Sequence, residues 1–131
     1  MVSFLRWWGP LLAYMCLIFY LSSSSRPVLL QYAPDYAWHF FGYFMMGVLS
    51  VRAFAQGLAL PAGGRHTLYA LVLAMAYALS DEWHQRFVPR RMASLEDLVA
   101  DFLGIMGALA VLSIYWWFAR WPDSPAERTR W

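Results

Sequence analysis

The stretch of sequence that decides the fold is LVADFLGIMGALAVLSIYWWFA, residues 98–119, in which Asp101 is the single charged side chain. An α-helix rises about 1.5 Å per residue, so about 20 residues cross the ~30 Å hydrocarbon core of a bilayer. Residues 98–119 are long enough and apolar enough for one such crossing. The stretch therefore predicts a transmembrane helix.

The composition of the whole chain agrees with this prediction. Of the 131 residues, 61% are apolar, 19% are aromatic and only 14% are charged, against about 45–50% apolar and about 25% charged in soluble domains. A soluble domain of this length needs polar side chains to cover its surface, and this chain has too few of them. We expect an all-α membrane protein, an antiparallel bundle of about four transmembrane helices with the approximate bounds 4–22, 36–56, 66–85 and 98–119.

Other features limit the partners and the domain organisation. The net charge of +2, with ten basic residues that are all arginine, is too small for the dense basic face of a nucleic-acid-binding protein. The single cysteine, Cys16, excludes an internal disulfide and a cysteine metal cage. We expect no nucleic-acid partner and no cofactor, and no feature sets the oligomeric state. Residues 1–120 are expected to form one transmembrane domain, and the polar residues 121–131 a disordered tail.

The first predicted span also has features of a signal peptide. One arginine precedes an apolar run that ends in four serines, residues 22–25. Against cleavage, the Gly9-Pro10 pair suits a helix start, and the adjacent Trp7 and Trp8 suit an interfacial anchor. These features favour a retained helix.

The arginines indicate an orientation. Four spans place both termini on one side of the membrane, together with Arg6, Arg52, Arg65, Arg120, Arg128 and Arg130. The opposite side holds Arg26, Arg86, Arg90 and Arg91. Cytoplasmic segments carry an excess of arginine and lysine, so the distribution predicts cytoplasmic termini.

The acidic residues concentrate near one end of the predicted bundle. The second span begins after an acid, the third ends at two acids, and the fourth begins beside two more. In an antiparallel bundle these three points meet at the same membrane face. That end holds the four arginines of the second group and six acids: Asp35, Asp81, Glu82, Glu96, Asp97 and Asp101.

Helical spacing refines this picture. Intervals of three or four residues place the members of three sets on common helix faces: Asp35, His39 and Tyr43; Glu82 and Gln85; Asp97 and Asp101. An ionised side chain at the bilayer centre costs about 2.5–3.5 kcal/mol on insertion scales, so these groups should face each other or a wet cavity. Stripes of small residues, Ala70, Ala74 and Ala78 and then Gly104 and Ala108, would let the helices approach closely.

The segment from Ser80 to Arg91, SDEWHQRFVPRR, continues with Ser94, Asp97, Asp101 and Gly104, and it resembles the VanZ family. The signature of that family is an acidic-x-x-Gln element, then Phe-x-Pro-x-Arg, Ser-x-x-Asp and Asn/Asp-x-x-Gly. The serines after the first span and the Asp35, His39, Tyr43 series match its other element. The resemblance covers about residues 5–115. Position 101 is Asp where many members have Asn. Position 90 is Arg where Gly is common, so we match Arg91 to the family arginine.

The resemblance implies a small multi-helix protein of the bacterial cytoplasmic membrane. The family is named for an accessory protein that confers low-level resistance to the glycopeptide teicoplanin, and its biochemical activity is not settled. The resemblance therefore implies a fold and a site more directly than a phenotype.

Three interpretations of the polar end remain open. In the first, it recognises the polar group of a membrane lipid or lipid-linked molecule, with Arg86, Arg90 and Arg91 bound to phosphate and the carboxylates orienting them. The predicted binding residues are Tyr43, Gln85, Arg86, Arg91, Ser94, Asp97 and Asp101. In the second, the polar residues are only a structural hydrogen-bond network between helices.

The third interpretation is an intramembrane enzyme that hydrolyses or transfers a group of a lipid or lipid-linked precursor. Asp35 would orient His39 as a general base, and Glu82 would act as the acid. We expect no metal; if an ion is bound, its predicted ligands are His39, Glu82 and Asp101, because imidazole and carboxylate suit divalent cations.

Overall fold

The computed structural model describes residues 2–25, 32–59 and 61–119. These residues form four α-helices and no strand: α1 (Val2–Ser22), α2 (Asp35–Ala55), α3 (Gly64–Gln85) and α4 (Leu95–Ala119). The predicted all-α fold with four helices is confirmed. Arg26 and the predicted tail, residues 121–131, lie outside the described residues.

The largest difference from the predicted bounds is at α4, which starts three residues before the expected position 98. Ser94 explains the earlier start, because its Oγ accepts a hydrogen bond from Asp97 N at 3.0 Å and donates to Asp97 Oδ2 at 2.8 Å. A serine that caps the backbone three residues ahead is a common helix start. Helix α2 ends at Ala55, and the next residue, Gln56, caps the helix in a left-handed conformation with φ 54°.

Two of the helices are long and apolar enough to cross a membrane. They are α1, over Ser3–Ser22, and α4, over Leu95–Ala119. The other two described helices do not pass the same test, because acids and bases at their ends lower their hydropathy. The described part of the chain therefore contains two candidate spans, and the crossing of the membrane by α2 and α3 stays a prediction.

The most extensive contact between helices is that of α2 with α4. Glycine makes this contact possible: a Cβ at position 104 would overlap the carbonyl oxygen of Phe40 and lie 2.9 Å from the amide nitrogen of Phe44. On the α2 side, a Cβ at position 47 would lie 2.9 Å from the Cβ of Ala108. The two backbones touch at these positions, as small-residue stripes in membrane helices allow.

Contacts at both ends fix the directions of the helices. At one end, His39 near the start of α2 bonds Asp101 near the start of α4, and Ser22 at the end of α1 bonds Asp81 near the end of α3. At the other end, Arg52 of α2 donates to backbone oxygens at the start of α1. Consecutive helices therefore run antiparallel, and the acidic residues of three helices meet at one end.

The first helix packs less extensively than the other three. Its buried apolar side chains are Leu11 and Ile18. Two tyrosines tie it to its neighbours, since Tyr14 donates to the carbonyl of Gly42 at 3.0 Å and Tyr77 donates to the carbonyl of Met15. That α1 is retained rather than cleaved as a signal peptide stays a prediction.

We predict that Gly104→Ala destabilises the protein by about 1–3 kcal/mol, because overpacking forces the α2 and α4 backbones apart. Thermal unfolding in detergent measures the effect. The matched control is Gly9→Ala, where a Cβ meets nothing within 4 Å and alanine raises helix propensity. Equal unfolding temperatures for both variants would contradict the close α2–α4 contact.

Candidate functional site

Seven polar side chains are buried together at the end of the bundle where the acidic residues meet. Each is at most 7% exposed: Ser22, His39, Asp81, Glu82, Gln85, Asp97 and Asp101. They come from all four helices. Buried polar groups are costly unless they are paired, so the partners of each group show what the arrangement can do.

His39 and Asp101 form the central pair of this cluster. Asp101 Oδ1 lies 2.8 Å from His39 Nδ1, and the carboxylate is fully buried. The bond assigns the Nδ1 proton to the side facing Asp101 and leaves Nε2 as the free ring nitrogen. Nε2 lies 3.8 Å from Asp35 Oδ1, beyond hydrogen-bonding distance. The carboxylate that orients His39 is therefore Asp101, whereas the spacing in the sequence suggested Asp35.

Arg91 reaches back from the α3–α4 connection to the start of α2. Its NH1 donates to Asp35 Oδ2 at 2.9 Å, and the arginine side chain is only 7% exposed while that of Asp35 is 33% exposed. The preceding residue, Arg90, is exposed and has φ 68°. This left-handed conformation favours glycine, which explains why Gly suits position 90 and why the arginine that enters the cluster is Arg91.

Glu82 connects the end of α3 to the start of α4. Its Oε2 accepts a hydrogen bond from Ser94 N at 3.1 Å, while the Ser94 hydroxyl bonds Asp97. The other carboxylate oxygen, Oε1, is buried with no hydrogen-bond partner among the described residues. Glu82 thus positions the first turn of α4, which carries Asp97, and Asp101 follows one turn further along the helix.

Asp81 joins α1 to α3. Its Oδ2 accepts hydrogen bonds from the Ser22 hydroxyl at 2.9 Å and from the Gln85 side-chain nitrogen at 3.2 Å. Its Oδ1 has no hydrogen-bond partner among the described residues. Asp81 and Gln85 continue the face of α3 that buries Ala74 and Ala78, so the alanine stripe leads directly into the polar cluster.

A pocket of about 390 Å³ opens between α1 and α2 beside this cluster. This volume lies within the range of about 300–1,000 Å³ that is usual for small-molecule sites. Polar lining groups stand at one end of the pocket: Ser22, Asp35, His39, Tyr43, Asp81 and Arg91. The remaining lining is mainly apolar: Tyr14, Leu17, Ile18, Leu21, Trp38, Phe41, Gly42 and Met45.

Comparison with known proteins identifies the family. The VanZ/LLP1 family model matches residues 7–118, which include nearly all of the four helices. The chain belongs to the VanZ/LLP1 family. It has no significant match to a curated protein or to a solved structure.

The VanZ/LLP1 motif residues occupy distinct positions in the structure. Asp35, His39, Tyr43 and Arg91 line the pocket. Glu82, Gln85, Ser94, Asp97 and Asp101 stand outside its lining, and they hold the lining groups or the start of α4 in place. Arg86 is exposed, with its guanidinium over the Trp83 ring at 5.4 Å, and it does not join the cluster.

Two of the polar lining residues, Asp81 and Ser22, were not among the predicted site residues of this VanZ/LLP1 chain. Asp81 could have been found from its spacing, since Ala74, Ala78, Asp81 and Gln85 recur at helical intervals on one face. The serines after the first span match a family element, but the spacing does not single out Ser22 among them, because four consecutive serines after an apolar run are typical of the start of a polar loop.

A metal ion would have a different ligand set from the one expected from the sequence. Among the described residues, Asp35, His39 and Asp97 offer donor atoms that all lie within 4.8 Å of one another. Asp101 bonds the other ring nitrogen of His39, the usual position of the carboxylate that orients a metal-ligating histidine. Of the expected trio His39, Glu82 and Asp101, only His39 belongs to this group.

We predict that Asp35 and Arg91 are energetically coupled. Arg91→Gln leaves a partly buried carboxylate without its partner, so we expect a loss of about 1–3 kcal/mol. Because Asp35→Asn removes that unpaired charge, the double variant should be more stable than the sum of the two single losses, by about 1 kcal/mol. Thermal unfolding of the four proteins measures the coupling.

The four proteins form a double-mutant cycle. Its control is Arg86→Gln, which removes an exposed charge from the same connection and should change the free energy of unfolding by less than about 0.5 kcal/mol. Additive losses in the cycle would show that the pair makes no contribution beyond its separate members.

Proposed function

We propose that the polar end of the bundle recognises the polar group of a membrane lipid or lipid-linked molecule. The observation that carries this proposal is the pocket between α1 and α2, which joins ionisable groups at one end to an apolar lining along the helices. An amphipathic ligand has the same division between a polar group and a hydrocarbon part. A small soluble metabolite would leave the apolar lining without a partner.

The setting we propose is the bacterial cytoplasmic membrane, crossed by all four helices with both termini in the cytoplasm. Large apolar side chains on the outer faces of α2 and α3 support the two crossings that hydropathy does not show, among them Phe41, Leu68, Val72 and Leu79, each more than half exposed. An exposed apolar surface of this kind is stable in an apolar environment such as a lipid bilayer. The excess of arginine on the side of the termini supports the orientation.

A binding role fits the polar cluster better than a purely structural one. A network that only joins helices is stable when all of its members are paired. Here three buried carboxylates keep an oxygen without a hydrogen-bond partner among the described residues: Asp81 Oδ1, Glu82 Oε1 and Asp101 Oδ2. Polar atoms in excess of the internal partners support a role towards a ligand.

A lipid or lipid-linked ligand would connect this protein to the cell envelope. We include in the proposal a role in envelope homeostasis or in susceptibility to teicoplanin, the phenotype for which the family is named. A deletion strain complemented with the wild type or with the Asp81→Asn variant would test this part, through its teicoplanin sensitivity.

We predict that Asp81→Asn weakens lipid binding about tenfold or more while the unfolding temperature stays within two degrees of the wild type, roughly 0.5 kcal/mol for a chain of this size. The amide keeps the shape and one oxygen for Ser22 and Gln85, but removes the charge. Native mass spectrometry after equilibration with mixed phosphatidylethanolamine and phosphatidylglycerol vesicles measures the lipid retained.

The matched control is Glu96→Gln, which removes an exposed carboxylate outside the lining. If Asp81→Asn unfolds at a much lower temperature and keeps its lipid, the structural interpretation is correct and the proposed recognition site is wrong.

The pair formed by His39 and Asp101 favours a second candidate function, an intramembrane hydrolase. With Nδ1 held by a buried carboxylate, His39 Nε2 can accept a proton from water attacking an ester of a lipid, and can return it to the leaving oxygen. Glu82, the acid expected from the sequence, lies outside the pocket lining.

For this second function we predict that purified protein converts a lipid ester to its hydrolysis products, as mass spectrometry would show. His39→Gln and Asp101→Asn should each slow the reaction by about 100-fold or more. Loss of the activity in a chelator, with recovery on adding Zn²⁺, would show that a metal is required, with Asp35, His39 and Asp97 as its candidate ligands. Unchanged lipid in every preparation would exclude the hydrolase.

A further inference from the structure

We infer that the pocket between α1 and α2 holds one hydrocarbon chain of a lipid whose headgroup is zwitterionic, with both a phosphate and an amine. The inference rests on the proposed function and adds to it the class of lipid, the place of its chain and the route by which it arrives.

The apolar lining reaches the outer surface of the bundle on both helices. Leu17 and Leu21 stand one turn apart on α1, and Phe41 and Met45 one turn apart on α2; all four line the pocket and are exposed. The pocket is therefore open sideways, towards the surface that would face lipid. A hydrocarbon chain could move in from the bilayer without crossing water.

The lining of the pocket extends along both helices. Tyr14 lies eight residues from Ser22 along α1, about 12 Å at the rise of a helix, and its hydroxyl donates to the carbonyl of Gly42 at 3.0 Å, which joins α1 to α2 beside the pocket. The lining thus follows the bundle axis away from the ionisable groups, as an extended hydrocarbon chain would.

The charges at the polar end select the headgroup. Two carboxylates, Asp35 and Asp81, and one guanidinium, Arg91, line this end; the other lining ionisable group, His39, is paired with Asp101. The other arginines of the α3–α4 connection, Arg86 and Arg90, are exposed and absent from the lining. The three arginines of this connection therefore do not form a joint phosphate-binding site.

A purely anionic headgroup would meet a surplus of negative charge at this end. A zwitterion fits both signs: its phosphate would bind the Arg91 guanidinium, which suits phosphate geometry, and its ammonium would approach Asp81 and Asp35. Asp81 Oδ1 and Arg91 Nε are an acceptor and a donor without hydrogen-bond partners among the described residues, and both residues line the pocket.

The experiment reduces the volume of the pocket by replacing Gly42 with a residue that has a larger side chain. A Cβ there meets only the Tyr14 hydroxyl, at 4.0 Å, so Gly42→Leu adds a side chain to the pocket without displacing backbone. The detergent-purified wild-type protein is equilibrated with vesicles of phosphatidylethanolamine or of phosphatidylglycerol, and native mass spectrometry measures the lipid it retains. We expect it to retain about tenfold more phosphatidylethanolamine than phosphatidylglycerol, which corresponds to about a tenfold difference in Kd. Gly42→Leu should lose this retention about tenfold.

The controls separate this inference from the proposed function. Gly9→Leu places the same side chain on α1 where a Cβ meets nothing within 4 Å, and should retain lipid like the wild type. If Gly42→Leu fails to fold, Leu17→Trp fills the same pocket from an exposed position. If both pocket-filling variants retain as much lipid as the wild type, the hydrocarbon chain does not lie in this pocket. If the wild type retains the two lipids equally, the site does not select a zwitterionic headgroup.

Two further outcomes complete the test. Soluble phosphoethanolamine, the headgroup without chains, should not protect the protein at concentrations where the lipid does; equal protection overturns the role of the chain. If Asp81→Asn also keeps its lipid, the proposed function itself fails. If Asp81→Asn loses lipid while Gly42→Leu does not, only the present inference fails.

Discussion

The backbones of α2 and α4 meet where Gly104 leaves no side chain between them, and the polar end depends on that contact. One turn before this glycine, Asp101 comes close enough to hold His39. A wider separation of the helices would leave a fully buried carboxylate and an imidazole without each other, at a cost of several kcal/mol. The packing of two small-residue faces therefore decides the geometry of the ionisable groups, and those groups in turn bring in the α3–α4 connection through Arg91.

Placing the ionisable groups at one end of the helices limits what their burial costs. Charged side chains are tolerated near the membrane interface far better than at its centre. Arg91 comes from a connection rather than from a helix, so in the proposed membrane setting its guanidinium would reach Asp35 without being inserted into the bilayer. Carboxylates without an arginine partner accept hydrogen bonds from backbone amides or hydroxyls instead, as Glu82 does from the backbone amide of Ser94. The cluster thus combines a strong electrostatic field with a modest insertion cost.

Much of the fold could be predicted from the sequence, because apolar length and small-residue spacing determine helices directly. The site was only partly predictable. Spacing along one helix suggested Asp35 as the partner of His39, but the orienting carboxylate is Asp101, on another helix, and no local pattern encodes the rotation of α4 against α2. Likewise Arg86 and Arg91 look equivalent in the sequence. A left-handed residue before Arg91 turns it inward, whereas Arg86 continues the end of α3 outward.

The three bonds that join the polar ends of the helices each span nearly half of the chain. His39 and Asp101 are 62 residues apart, Ser22 and Asp81 are 59 apart, and Asp35 and Arg91 are 56 apart. During synthesis, therefore, α2 is made before the partners of Asp35 and His39 exist. In the proposed membrane setting, the polar end of α2 would stay unpaired until the α3–α4 connection and α4 follow.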